Sequence, residues 1–222
     1  MSKDPKTVTV YGRLSWPVWT MAEAIPRNAK SDYPRPDDEV TPEFNLLLDR
    51  VQADKFLSHI ENEFLPYCLQ QAAAKEKRNA LTDKQVAMLL EKLHGDLEIQ
   101  PPYVPLKPVP EKSVELAPEA VYLLKIKGQR GQDLSQLAIV NNEDELSIPD
   151  PDQLIYPCIK PIAKTVHQMY GGAYVAATLN LYAYISGKLP GFSASASAAI
   201  FKADGERFGG GTAIDEDEIF LD

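Results

Sequence analysis

The residues best equipped for chemistry lie along Tyr174 to Ile185. Read with a period of two, Val175, Ala177, Leu179, Leu181, Ala183 and Ile185 form a wholly apolar face. Tyr174, Ala176, Thr178, Asn180, Tyr182 and Tyr184 form the other face. A solvated strand face ordinarily carries Lys, Glu and Thr. Three phenol rings with an amide and a hydroxyl offer flat stacking surfaces and uncharged hydrogen bonds instead. A nucleobase stacked on such a ring gains about 1–3 kcal/mol, whatever its identity. Two other segments show matching outward residues. Tyr11 and Arg13 alternate with Val10 and Leu14, and Lys125 and Lys127 alternate with Leu124 and Ile126. Rings interleaved with cations on a curved sheet make a groove for one strand of nucleic acid. Tyr11, Arg13, Lys125, Lys127, Tyr174, Asn180, Tyr182 and Tyr184 are therefore the candidate DNA contacts, rings for bases and cations for phosphates. Tyrosine's own preference for strands gives the same pattern if the rings pack under neighbouring helices. Alternation by itself does not choose between the two.

Other chemistries find little footing. Gly209-Gly210-Gly211-Thr212 lacks the lysine and following helix of a phosphate-binding loop. His59, His94 and His167 are far apart, with no cysteine or carboxylate at metal-ligand spacing. Cys68 and Cys158 belong to no redox or catalytic motif and are expected to be reduced and buried. Asp144, Asp150 and Asp152 resemble nuclease acids in type, but prolines break their loop and no lysine base sits at a recognisable offset. The chain is thus expected to be no enzyme and to hold neither cofactor nor metal.

The elements that must position these residues can be placed in outline. Residues 7–16 alternate as a half-buried strand, and a proline-rich loop is expected over 17–42. Phe44 to Leu48 reads as a second strand. Phe56, Leu57, Ile60, Phe64, Leu65, Cys68 and Leu69 recur at helical steps, with Pro66 as a kink. Thr82 and Gln85 form a capping box for a second helix, which His94-Gly95 closes. Six prolines between 101 and 118 predict an extended linker. Strands are expected at 121–127, 137–140, 173–185 and 192–203, and a tight turn at Asp204-Gly205. Strands outnumber helices, and the helices cluster in one insertion. This favours a mainly β fold, a small OB-fold-like barrel with a helical insert at about 50–95. The domain is expected to span 1–208, with a flexible Gly-rich acidic tail over 209–222. The alternating Ser193 to Ala199 selects small side chains, for barrel closure or for close approach of a ligand.

Net charge is −9, of which five charges fall in residues 215–222. The remainder of the chain is only mildly acidic, so a nucleic-acid site must be a local cluster rather than a basic domain. No stretch reaches eighteen apolar residues and no apolar run follows Met1-Ser2-Lys3-Asp4-Pro5, so neither a membrane span nor a signal peptide is expected. The tail places Asp215, Glu216, Asp217 and Glu218 before Ile219-Phe220-Leu221. It imitates a strip of polyanion with an apolar tip.

Two segments resemble a known family. They are Tyr170-Gly-Gly-Ala-Tyr-Val-Ala-Ala-Thr-Leu-Asn-Leu-Tyr-Ala-Tyr184, and Pro190-Gly-Phe-Ser-Ala194 running on to Lys202-Ala-Asp-Gly-Glu-Arg-Phe-Gly-Gly-Gly211. Both look like single-stranded-DNA-binding proteins of tailed phages, long labelled only as a domain of unknown function and distantly similar to other phage replication single-strand binders. Resemblance covers about fifty residues, roughly 170–219. It implies an OB-fold, sequence-independent binding of single-stranded DNA in replication or recombination, and an acidic C-terminal tail. The expected partners are single-stranded DNA and, through Asp215, Glu216, Asp217, Glu218 and Phe220, phage or host replication proteins. That tail is also expected to compete for the groove. The expected location is the cytoplasm of the infected bacterial host, with no membrane partner; a homo-oligomer is compatible with this reading. The large aliphatic residue that the family usually carries soon after its Gly-x-Ser-Ala turn is replaced here by Ser195, Ala196, Ser197 and Ala198. The alternative reading is a virion structural or scaffold protein that uses the same small barrel for protein contacts.

Overall fold

The computed structural model describes residues 4–31, 34–98, 102–128, 134 and 169–208. Strand β1 (Thr7–Val18) leads into helix α1 (Met21–Ala29), and β2 (Glu43–Asp49) follows. The helical insert comprises α2 (Arg50–His59), α3 (Leu65–Ala73) and α4 (Asp83–His94). After it come β3 (Leu106–Pro108), α5 (Glu111–Leu116), β4 (Ala120–Lys127), β5 (Tyr174–Ser186) and β6 (Leu189–Ala203).

β1 pairs with β2 and β5, β5 pairs with β6, and β2 pairs with β4, all antiparallel. A parallel contact between β4 and β6, Ile126 opposite Ala194 and Lys127 opposite Ser195, closes the ring. The result is a barrel of five strands in the order β1-β2-β4-β6-β5, with β3 outside the ring on β4. This is the OB-fold arrangement.

Alternation drives the closure. Val8, Val10 and Leu14 of β1, Phe44, Leu46 and Leu48 of β2, and Val175, Ala177, Leu179 and Leu181 of β5 all point inward and are buried. Phe192 also points inward, and its ring lies 5.8 Å from that of Phe64. The insert therefore plugs the barrel with its own apolar stripe: Phe56, Ile60, Phe64, Cys68 and Leu89 join the same core. Small residues on β6 permit the tight seam, with Ala194 and Ala199 almost fully buried.

The structure corrects several sequence expectations. The loop predicted over 17–42 contains α1, opened by a reciprocal capping box between Thr20 and Glu23 despite Pro26 within the helix. α2 and α3 form one helical run through a π-turn at Ile60–Phe64. Pro66 follows two residues after its end. The wider turn accommodates a residue that cannot donate to the carbonyl four positions back. The proline-rich linker carries β3 and α5. Asp204-Gly205 forms no hairpin turn: Gly205 lies against the Gly172 carbonyl, 2.2 Å from where a Cβ would sit. The strand expected at 137–140 and the acidic residues 144, 150 and 152 lie outside the described residues, as does Cys158.

Cys68 is buried and unpaired, and burial pushes its thiol up to about 12. A Cys158→Ser variant should therefore leave Ellman's reagent unreacted at pH 8 while native, and release one equivalent on unfolding. Rapid reaction of the folded protein would show that the helical plug opens.

Candidate nucleic-acid interface

The outer face of the β5–β6 hairpin carries a row of three tyrosines. Tyr182 stands opposite Ser193 and Tyr184 opposite Gly191. Gly191 has a steric reason: a Cβ there would sit 2.9 Å from the Tyr184 ring, which therefore lies flat on the bare backbone. Tyr103 completes the row. Its carbonyl accepts the Phe192 N–H at 3.1 Å, and it bridges Gly191 in parallel register. Ring centroids run 6.3 Å from Tyr103 to Tyr184 and 6.1 Å on to Tyr182, tilted by 40° and 39°. Tyr182 is 42% exposed, a large surface for an aromatic ring on a sheet. A side-chain hydrogen bond joins Tyr184 to Ser193. The small residues of β6 thus serve both closure of the barrel and room for rings above it.

Cations flank the row. Lys127 Nζ lies 5.5 Å from the centre of the Tyr103 ring. Lys125 Nζ is 2.8 Å from Glu43 Oε1 across β2. Both lysines line a cleft of about 310 Å³ with Arg27 and Arg35, and with Glu39 and Glu43 as counter-charges. Arg35 reaches it because Asn28 clamps its backbone, donating to the Arg35 carbonyl at 2.8 Å and accepting its N–H at 3.1 Å. Tyr103, Arg27 and Arg35 were missed as site residues. The capping box of α1 was the signal available for the arginines; nothing local marks Tyr103, which enters through a long-range bridge.

Burial, reinforced by Tyr184, Glu43 and Tyr182, pushes the Tyr103 phenol up to about 12. Burial also raises that of Tyr184. These rings therefore remain neutral hydrogen-bonding groups at physiological pH and add no charge to repel phosphate. A phenol in the unfolded chain ionises near 10, below the folded value. The stability that depends on a neutral Tyr103 is thus complete below pH 10 and is lost as pH rises toward 12. Urea unfolding at pH 8 and pH 11 should show a smaller alkaline loss in Tyr103→Phe than in the unaltered chain; equal losses would contradict the shift.

The eight predicted contacts fall into two groups. Lys125, Lys127, Tyr182 and Tyr184 share the face just described. Asn180 is exposed beside it, its Oδ1 accepting from Thr7 Oγ1 at 3.3 Å. Tyr11, Arg13 and Tyr174 lie at the other end of β5, where Arg13 pairs with Tyr174 and Tyr11 with Ala176. Eight residues of strand separate Tyr174 from Tyr182, about 26 Å.

Arg13 is a correction. Its residue is 6% exposed, and its guanidinium donates to the carbonyls of Gly172 at 3.2 Å, Leu116 at 2.7 Å and Glu206 at 3.0 Å. Glu119 lies 3.7 Å away, and the Phe208 and Tyr174 rings pack at 4.5 and 5.3 Å. A cation so enclosed ties α5 and the segment after β6 to the barrel and is closed to phosphate. Tyr11 is likewise buried, with Lys55 and Lys202 over its ring at 5.4 and 5.8 Å. Tyr174 is partly buried against Tyr11, Ala176 and Ile200.

Asp215, Glu216, Asp217, Glu218 and Phe220 lie outside the described residues. Among the described residues no group of three or more His, Cys, Asp or Glu is placed to hold a metal ion, and no helix is long and apolar enough to cross a membrane.

No protein-family model and no curated protein matches the chain. Solved structures do align with it. The single-stranded DNA-binding protein of bacteriophage Enc34 covers 96% of this chain and 90% of its own, at 14% identity and a TM-score of 0.44. The same protein in complex with single-stranded DNA covers 92% and 90%, at 13% identity and a TM-score of 0.44. The single-stranded DNA-binding protein gp2.5 of bacteriophage T7 covers 93% and 96%, at 13% identity and a TM-score of 0.41.

Proposed function

We propose that this OB-fold chain binds single-stranded DNA without sequence preference. The observation that carries the reading is the row Tyr103-Tyr184-Tyr182, with Lys127 over its first ring and Lys125 beside it. Bases stack on the rings, and Lys125, Lys127, Arg27 and Arg35 attract the backbone. Asn180 adds an uncharged hydrogen-bonding group at the end of the row. A duplex hides its base faces and cannot use the rings, so the preference for single strands follows from geometry.

The role inferred from this activity is coating of exposed strands in phage replication or recombination. The acidic residues 215–218 would compete with DNA for the cationic groove, and Phe220 would dock replication proteins. Binding of a dT oligomer, followed by fluorescence anisotropy, should weaken with salt at a log–log slope of about 0.7 per phosphate neutralised. Deleting residues 212–222 should tighten it at low salt. A flat salt response would remove the phosphate contacts, and unchanged affinity on truncation would remove the competition.

A further inference from the structure

The helical insert does more than plug the barrel. We infer that its α3–α4 loop forms a second cationic wall of the DNA groove, with Lys77 and Arg78 contacting phosphates beyond Tyr182. This rests on the single-strand reading above and extends the site to an element outside the barrel.

Beyond Leu181, whose N–H donates to the Lys6 carbonyl at 2.8 Å, β5 runs on past the end of its pairing with β1. Its open edge is met by the insert. Asn79 adopts a φ of 58° and its Oδ1 accepts the Ala183 N–H at 2.7 Å. Asn tolerates this left-handed backbone better than most residues, because its short side chain bonds locally or to a neighbouring amide. The hydrogen bond is long-range and partly buried, so it fixes the loop against the strand that carries Tyr182 and Tyr184. Between loop and strand lies a cleft of about 830 Å³, lined by Lys6, Lys77, Arg78, Asn180, Tyr182 and Tyr184 among others. Among the described residues Asp4 is the one acid lining it, and it pairs with Lys6 at 3.5 Å. The cleft is thus net cationic and shares two rings with the tyrosine row. Lys77 and Arg78 both line it and are exposed.

The arrangement gives the row a cationic cleft at each end: Arg27, Arg35, Lys125 and Lys127 beside Tyr103, and Lys6, Lys77 and Arg78 beside Tyr182. A strand stacked on the rings would leave them toward phosphate-binding groups on either side. A sheet edge needs only a hydrogen-bond partner to be capped; it does not need two adjacent cations lining a cleft with the tyrosines.

The test compares two double variants of the full chain on a dT oligomer across a salt series. Lys77→Ala/Arg78→Ala removes the wall. Lys75→Ala/Lys84→Ala removes the same charge from exposed positions of the same insert that do not line the cleft. Two lost phosphate contacts should lower the slope by about 1.4 and the affinity at 0.1 M salt by about 25-fold, while the control stays within about 3-fold of the unaltered chain. Circular dichroism should be the same for all three. Equal losses in both variants, or no loss in the first, would overturn the wall while leaving single-strand binding intact. Failure of the unaltered chain to bind the oligomer would overturn the single-strand reading and the wall with it.

Discussion

Replacing Tyr182 and Tyr184 together by alanine is expected to weaken binding of a dT oligomer at least about thirty-fold, with the fold intact. Each stacked ring contributes about 1–3 kcal/mol, so the pair contributes about 2–6 kcal/mol, and every 1.4 kcal/mol is a factor of ten. Little stability is at stake. Tyr182 is 42% exposed and the neighbouring Ile185 is 50% exposed, because the hairpin tip projects past the barrel. Loss of Tyr184 uncovers Gly191 but opens no cavity in the barrel core. The Tyr182→Phe/Tyr184→Phe variant keeps both π faces and should retain most of the affinity, which separates stacking from hydrogen bonding. Anisotropy titration reads both. An alanine pair that binds like the unaltered chain would remove the rings from the site.

Arg13→Ala should have the opposite signature, a large loss of stability and little effect on DNA affinity per folded molecule. Removal of this side chain leaves the carbonyls of Gly172, Leu116 and Glu206 without their donor, and the Tyr174 and Phe208 rings without the cation between them. Removing one partner of a buried charged network costs about 3–5 kcal/mol. For a domain of this size that lowers Tm by roughly 6–20 °C. Arg13→Lys should recover only a fraction, because an ammonium cannot span three carbonyls as a planar guanidinium does. Thermal unfolding and a salt series decide the matter. An unchanged Tm with a salt slope smaller by about 0.7 would restore Arg13 to the phosphate contacts.

Both predictions show what was legible in the chain. Alternation in β1, β2, β4 and β5 was readable because each strand is half-buried, and one apolar face suffices to fix inside from outside. The same rule placed Arg13 and Tyr11 on the outer face correctly but mistook outer for exposed. α5 and the segment through Phe208 cover that part of the barrel, and no local pattern records what covers a face. α1 was hidden by the prolines around it, although Thr20 and Glu23 spelled its start. Tyr103 and Asn79 are the harder cases. Each meets the β5–β6 hairpin across roughly eighty to a hundred residues, Tyr103 at Gly191, Phe192 and the Tyr184 ring and Asn79 at Ala183. Only the closed barrel brings them to the site. The tyrosines of β5 were visible as a face, but their division between Tyr174, covered at one end, and the row of Tyr182 and Tyr184 at the other depends on where the neighbouring elements end.

The central claim is that the row of tyrosine rings, rather than charge alone, makes this surface a single-strand binder. Competition measures it most directly: a labelled dT oligomer bound to the full chain is challenged with unlabelled single strand or duplex at equal phosphate concentration and about 0.15 M salt. Single strand should displace the label at concentrations at least about tenfold below duplex, and that advantage should vanish in Tyr182→Ala/Tyr184→Ala. Equal displacement by duplex and single strand would contradict the account, since a purely electrostatic surface would favour the denser charge of the duplex.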